Sequence, residues 1–261
     1  MISAETGMLF VAIGLIAGST LGMLTYRLPL MIMHEENPTK TGGALNLWFP
    51  GSHCCHCRQP LRWFDNIPLL SWLWLRGKCR YCGKTVSIRY LLSELLCAIV
   101  APLCYLFHPN DIGLALALFL YFWFALALCI IDLRYLLLPD KLTLPLIWCG
   151  LVFNACSGFI DCHDAILGAV AGYTALWLVN QMVRLVCKKE GMGYGDFKLF
   201  AAIGAWSGWQ SLPYILYIAA IAGIIYGLLA MLRARRRVSI IPFGPALALS
   251  GWGYFCWMSG L

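Results

Sequence analysis

From Ile112 to Ile131 the chain runs for 20 residues without one charged side chain. A helix rises 1.5 Å per residue, so a run of about 20 apolar residues crosses the hydrocarbon layer of a bilayer. This run is one of eight, at residues 6–26, 91–107, 112–131, 142–160, 165–186, 197–210, 212–232 and 241–260. A soluble core could absorb one or two such runs, but not apolar stretches over most of the chain. Of the 261 residues, 61% are hydrophobic and only 12% are charged, with a mean hydropathy of +0.76, which excludes an ordinary soluble protein. Backbone polar groups in lipid must be satisfied internally, so each run is expected to be a helix. The expected fold is a polytopic α-helical membrane protein with about eight transmembrane helices. The first run lacks a basic segment before it and a small-residue cleavage site after it, so it reads as a retained span rather than a secretory signal. The sixth is short and meets the seventh near Pro213, where a re-entrant hairpin is an alternative.

Charge fixes the expected orientation. All 19 Lys and Arg residues fall in the intervals 27–89, 134–141, 184–198 and 233–237, which are alternate connections between the eight runs. The other connections carry only acids, namely Asp111, Asp161 and Asp164. Under the positive-inside rule the basic connections face the cytoplasm and both chain ends face outward. The net charge of +7 is therefore a topology signal, and no nucleic-acid partner is expected.

Of 13 cysteines, Cys97, Cys104, Cys129, Cys149, Cys156, Cys187 and Cys256 lie in or near apolar runs, where cysteine behaves as a small hydrophobe, and Cys162 sits in a short loop. The other five lie between residues 54 and 82, in the one substantial polar region. Cys54 with Cys57 and Cys79 with Cys82 form two CxxC pairs, 21 residues apart. Four thiolates in paired knuckles suit a closed, tetrahedral structural zinc, and a small segment with a thin core needs such a staple. A redox dithiol, an iron–sulfur centre and disulfides are the weaker alternatives. His53, Cys55 and His56 crowd the first knuckle and read as solvent-facing or supporting groups. Arg76, Lys78, Arg80 and Lys84 flank the second, where a solvated face near anionic headgroups is the plain reading. Glu94, just inside the second run, is expected to pair with Arg89 or a neighbouring helix, or to line a polar cavity.

The remaining polar signal is acidic. Asp132 ends the third run in IDLRYLLLPD and Asp196 begins the sixth in GMGYGDFK, both on the expected cytoplasmic side. Two carboxylates about one water apart can share a proton, one activating the water while the other polarises a peptide carbonyl. Gly193 and Gly195 allow close backbone approach before Asp196, and Pro139 fixes the chain before Asp140. Each acid alone also has a plain role. Asp132 or Asp140 could face headgroups beside Arg134 or Lys141, and Asp196 could cap a helix starting at Phe197. A transporter using its acids to bind a proton or cation also fits this composition.

The ordered motifs resemble those of bacterial type IV prepilin peptidases, the bifunctional leader peptidase/N-methyltransferases of the inner membrane. The resemblance spans nearly the whole chain. It runs through Gly18-Ser19 and Tyr26-Arg27-Leu28-Pro29, the two CxxC pairs, DNIPLLSWLWLRGKCRYCG from Asp65 and SIRYLLSELL from Ser87. It continues through IDLRYLLLPD from Ile131, GMGYGDFKL from Gly191 and IPFGPALA from Ile241.

The resemblance implies an aspartic endopeptidase whose catalytic residues are Asp132 and Asp196, within the GxGD pattern shared with intramembrane aspartyl proteases. Asp140, Gly193, Gly195 and Lys198 are implied as supporting residues. The implied domains are a first transmembrane helix at 1–28, a cytoplasmic tetra-cysteine zinc domain at 29–90, and a membrane-embedded peptidase domain at 91–261. Prepilins and type II secretion pseudopilins are the implied substrates, cleaved after a glycine at the cytoplasmic membrane face. S-adenosylmethionine would then methylate the new amine, with Arg76, Gly77 and Lys78 as possible contributors. Membrane lipids are the other expected contacts. Gly22 stands where the family often has asparagine, and Cys55 where proline is common in the first knuckle. A peptidase without methylation is the alternative enzyme.

Overall fold

The computed structural model describes residues 3–36, 46–47, 51–54, 56–188, 192–234 and 242–260. Cys55, Gly191, Ile241 and the basic residues Arg235, Arg236 and Arg237, on which several expectations fall, lie outside these described residues. Among them the regular structure is helical, apart from two isolated antiparallel bridges pairing His53 with Pro60 and Lys78 with Thr85.

The helices are α1 (Ala4–Glu36), the short α2 (Leu70–Trp74), α3 (Ile88–Phe107), α4 (Ile112–Tyr135), α5 (Asp140–Ser157), α6 (Cys162–Cys187), α7 (Tyr194–Ser207), α8 (Leu212–Ala234) and α9 (Gly244–Ser259). Each of the eight apolar runs falls on one of the long helices. Among the described residues five segments are long and apolar enough, by length and composition, to cross a bilayer: Ala4–Glu35, Ile88–Phe107, Ile112–Tyr135, Cys162–Cys187 and Trp209–Arg233. The chain is a polytopic helical membrane protein. Helix α1 continues through Pro29 to Glu36, well past the expected end of the first span at residue 26. Acids at the helix starts are caps: Asp111 accepts the Leu114 N–H at 2.9 Å in the first turn of α4, and Asp161 accepts the His163 N–H at 3.0 Å in α6.

The chain divides into two compact units, Met1–Phe119 and Leu120–Leu261. In the first, α1 packs along α3 through a Gly14–Gly18 stripe. A methyl group built on Gly18 would stand 2.5 Å from the Glu94 Cα, so only glycine permits this approach. Phe10 stacks on Tyr105 at 5.1 Å. Arg27, buried on α1, donates to the carbonyls of Asn46, Leu47 and Gly51 and so gathers the chain that leads into the first cysteine knuckle.

The second unit is organised around α7. Its 14 residues rise only about 21 Å, too short for an ordinary span. From Phe197 to Ser207 every residue except Lys198 is buried, with α5, α6 and α9 packed around it. Gly168 and Gly172 on α6 take the backbone of α7 at Gly204 and Phe200, leaving no room for a side chain. Trp206 is fully buried, donates from Nε1 to the Leu146 carbonyl at 2.9 Å, and stacks on Tyr121 and Phe153 at 5.0 and 5.6 Å. Asn154 on α5 donates to the Ala205 carbonyl at 2.8 Å. The brevity of α7 is thus compatible with membrane depth, because protein rather than lipid surrounds it.

Candidate active site and metal centre

Asp132 lies in the last turn of α4 and is only 5% exposed. Its Oδ2 accepts the N–H of Gly244 at 3.1 Å. Gly244 is the first residue of α9, and the preceding Phe243 supplies no side-chain cap. The Asp132 carboxylate therefore caps α9 from another helix, at the positive end of its dipole. A methyl group on Gly244 would stand 2.6 Å from that same oxygen, so the approach requires glycine.

Asp196 is half-buried in the first turn of α7, and its N–H bonds to the Gly193 carbonyl at 3.2 Å. It does not cap a helix starting at Phe197, because α7 starts two residues before Asp196, at Tyr194, and its cap residue is Gly193. The carboxylate is thus left for other contacts. Leu138, in the turn between α4 and α5, touches both the segment that carries Asp196 and the start of α9 that holds Asp132. Methyl groups built on Gly195 and Gly244 would stand 2.6 Å from its Cβ and 3.2 Å from its Cδ2. The loop entering α7 is anchored by Asn180 of α6, whose Oδ1 accepts the Met192 N–H at 3.2 Å.

Pro139 has extended backbone and serves as the cap residue of α5, so Asp140 opens that helix. Asp140 pairs with Lys198 of α7, Nζ to Oδ1 at 2.6 Å. This pair ties the helix start after Asp132 to the helix that carries Asp196.

In the first unit the Sγ atoms of Cys54, Cys57, Cys79 and Cys82 lie within 4.8 Å of one another, with Cys54–Cys82 at 3.9 Å and Cys57–Cys79 at 4.0 Å. A tetrahedral zinc with Zn–S bonds near 2.3 Å sets its sulfurs about 3.8 Å apart, so the donor set fits that ion. The two knuckles repeat one geometry. Cys54 and Cys79 donate from N–H to the carbonyls of Gln59 and Lys84, and accept from Arg58 and Gly83. Arg58 and Gly83 both adopt left-handed backbone, with φ of 57° and 67°, so the first knuckle closes with arginine where the second uses glycine. Backbone N–H groups of Cys57 and His56 pull the Cys54 thiol down to about 6, favouring the thiolate a metal needs. His53 bonds the Gly51 carbonyl through Nδ1 and His56 is exposed, so neither joins the sulfur cluster.

Arg76 and Gly77 form a left-handed turn, with φ of 51° and 67°, that closes α2, and Lys78 follows. Gly77 packs on the Trp72 ring while Arg76 and Lys78 are exposed. Glu94 accepts the N–H of Leu69 at 2.8 Å, which replaces the expected partners with a backbone group. Leu69 itself sits at φ 60°, an uncommon conformation for leucine that this bond helps hold. Sequence reasoning also missed the Asp65–Arg80 pair, in which Arg80 donates from Nε and Nη2 and the Asp65 carboxylate raises the proton affinity of the guanidinium. Gly244 was legible only as part of the PFGP segment. Its signal was a Gly-Pro pair at a helix start, where free N–H groups await an anion.

The family model for the bacterial Peptidase A24 N-terminal domain matches residues 12–108, and that for the type IV leader peptidase family matches residues 119–228. The prepilin leader peptidase/N-methyltransferase of Aeromonas hydrophila is 45% identical over 255 residues, covering 93% of this chain and 88% of the relative. The proteins of that name from Pectobacterium carotovorum subsp. carotovorum and Dichelobacter nodosus are 44% and 40% identical, covering 92% and 97% of the chain and 88% and 92% of the relatives. No solved structure matches. With more than two thirds of such relatives aligned at this identity, the chain belongs to the type IV leader peptidase family.

Proposed function

We propose that this chain is a prepilin leader peptidase and N-methyltransferase in which Asp132 and Asp196 form the catalytic pair. The observation that carries the reading is Leu138, which packs against Gly195 beside Asp196 and against Gly244, the residue that holds Asp132, so that two acids 64 residues apart in sequence belong to one packed cluster. One carboxylate takes a proton from the attacking water while the other, protonated, donates to the scissile carbonyl. The Gly244 N–H marks Oδ2 of Asp132 as the held oxygen and leaves Oδ1 for water or substrate. Asp140 and Lys198 position the two helix starts, and Gly193 and Gly195 let the backbone pass close to them.

Prepilins and type II secretion pseudopilins are the substrates in this reading, cleaved after glycine. The clustering of Lys and Arg in alternate connections supports an orientation with the aspartates and the cysteine domain at the cytoplasmic side of a bacterial inner membrane. Cys54, Cys57, Cys79 and Cys82 hold a structural zinc, since four thiolates leave no open coordination position. S-adenosylmethionine supplies the methyl group, and the new amine must be deprotonated to accept it. Arg76, Gly77 and Lys78 are the proposed contributors from this chain.

The test is cleavage of a prepilin by the purified, lipid-reconstituted protein, followed by mass spectrometry with the methyl donor present. Loss of the leader plus the mass of one methyl group is expected. Retained cleavage in either Asp132→Asn or Asp196→Asn overturns the pair, and a cleaved but unmethylated product leaves a peptidase alone.

A further inference from the structure

Between α1 and α3 the chain presents an apolar face that its own fold does not use. Leu70, Leu73 and Trp74 lie at i, i+3 and i+4 of α2, on one side of the helix, and are 65%, 60% and 83% exposed. Trp72, between them, is turned the other way and packs on Gly77. Trp63 is 81% exposed, in the 3₁₀ turn Trp63–Asn66 that packs against α2. Isolated exposed leucines need no explanation, but two nearly bare tryptophans beside two bare leucines on a small polar domain do.

The surrounding charge is one-sided. From residue 56 to 89 the chain carries Arg58, Arg62, Arg76, Lys78, Arg80, Lys84 and Arg89 against a single acid, Asp65. Asp65 is buried and taken by Arg80. Every other charge in the segment is positive. The segment is also tethered to lipid at both ends, since α1 and α3 are each long and apolar enough to span, and Ile88 at the start of α3 is itself exposed.

We propose that Trp63, Leu70, Leu73 and Trp74, carried on a segment whose charges besides the Asp65–Arg80 pair are all basic, dock on the headgroup region of an anionic bilayer. Tryptophan favours that depth because its ring is apolar and its N–H stays wet. The basic groups supply attraction to anionic headgroups, and leucines one helical turn apart enter the acyl boundary. The surface thereby holds the cysteine domain flat against the membrane between its two tethers.

The test uses the full chain in nanodiscs with a fluorescent amino acid in place of Trp74 or, separately, Trp63. Retained metal stoichiometry reports an intact domain. In phosphatidylglycerol–phosphatidylcholine discs, brominated acyl chains are expected to quench both probes while aqueous iodide does not. Replacing phosphatidylglycerol by phosphatidylcholine should lower the docking equilibrium constant by about fivefold for each basic group that loses its anionic partner. Free quenching by iodide with none by bromolipid overturns the proposal. Shielding from iodide without bromolipid quenching overturns it too, because the cover is then protein. Docking that is indifferent to anionic lipid removes the role given to the basic groups of the segment.

Discussion

The cysteine segment and the α7-centred unit solve the same problem, keeping a polar group at a fixed place, by opposite means. Around Cys54 to Cys82 the described residues show almost no apolar interior. Its buried positions are two cysteines, Gly77 and an ion-paired aspartate, while Trp63, Leu70, Leu73 and Trp74 face outward. Around α7 the interior is dense, with Trp206, Tyr121, Phe255 and Phe197 all essentially without exposed surface. Small segments cannot bury enough apolar area to offset chain entropy, so the first region depends on a cross-link. The second depends on close helix packing and can therefore hold a carboxylate with a single backbone donor. The difference teaches which perturbations each region will feel.

The largest expected effect is loss of the cross-link. Structural zinc contributes on the order of 10–16 kcal/mol in small cysteine domains, far above the stability such a segment has alone. The double substitution Cys54→Ser with Cys79→Ser should abolish metal content and raise amide exchange across residues 52–86, while exchange in α5, α6 and α7 stays slow. Unchanged metal content would reject this coordination. Coupled melting of both regions would erase the contrast drawn above.

Next in size is the converse experiment. Trp206→Ala removes the side chain on which Tyr121, Phe153 and Phe255 converge and leaves a cavity beside Gly150. A loss of about 3–5 kcal/mol is expected for the α7 unit, read from unfolding in detergent, with metal content intact. Trp74→Ala, at a site 83% exposed, should change stability by less than about 0.5 kcal/mol. Equal effects from the two tryptophans would show that burial in the second unit is not what holds it.

Much of this was legible in sequence, and the reason is physical. Lipid forces helices, so apolar run length alone located all eight long helices, including the uncertain sixth and seventh as α7 and α8 with a tight turn at Gly208 between them. The CxxC spacing foretold the sulfur cluster because two knuckles of identical local geometry need little else. What escaped was tertiary and carried by backbone. Gly244 donates to Asp132, and Leu69 donates to Glu94, through N–H groups that every residue possesses. Hydropathy gives no sign of which backbone donor a carboxylate will meet. The continuation of α1 to Glu36 escaped as well, since the first apolar run ends at residue 26 and hydropathy does not follow a helix beyond it. In the fold Arg27 collects three loop carbonyls from within the helix.

The third effect sharpens the claim that packing positions Asp132. Gly244→Ala would place a methyl group 2.6 Å from the Asp132 Oδ2, forcing the carboxylate or α9 to shift. Displacement of a catalytic group by about 1 Å costs on the order of a hundredfold in rate. Cleavage should fall by that order with little change in unfolding. Gly253→Ala, in the same helix with nothing within 4 Å of the added carbon, should keep its activity. Equal activity in the two variants would remove Gly244 from the site.

The smallest effect tests a charged tie within the packed unit. Lys198 and Asp140 meet at 2.6 Å, but their side chains are 27% and 55% exposed, so water screens the pair. Its stability contribution is expected to stay at or below about 1 kcal/mol. If the pair positions Asp196 relative to the start of α5, Lys198→Met and Asp140→Asn should each lower cleavage by about tenfold, and the double variant should be no worse than either single one. Raised salt should mimic part of the loss in the parent protein and none in the double variant. Additive losses would mean that the two side chains act separately, leaving close packing through Leu138, Gly195 and Gly244 as the means by which this unit holds its two acids.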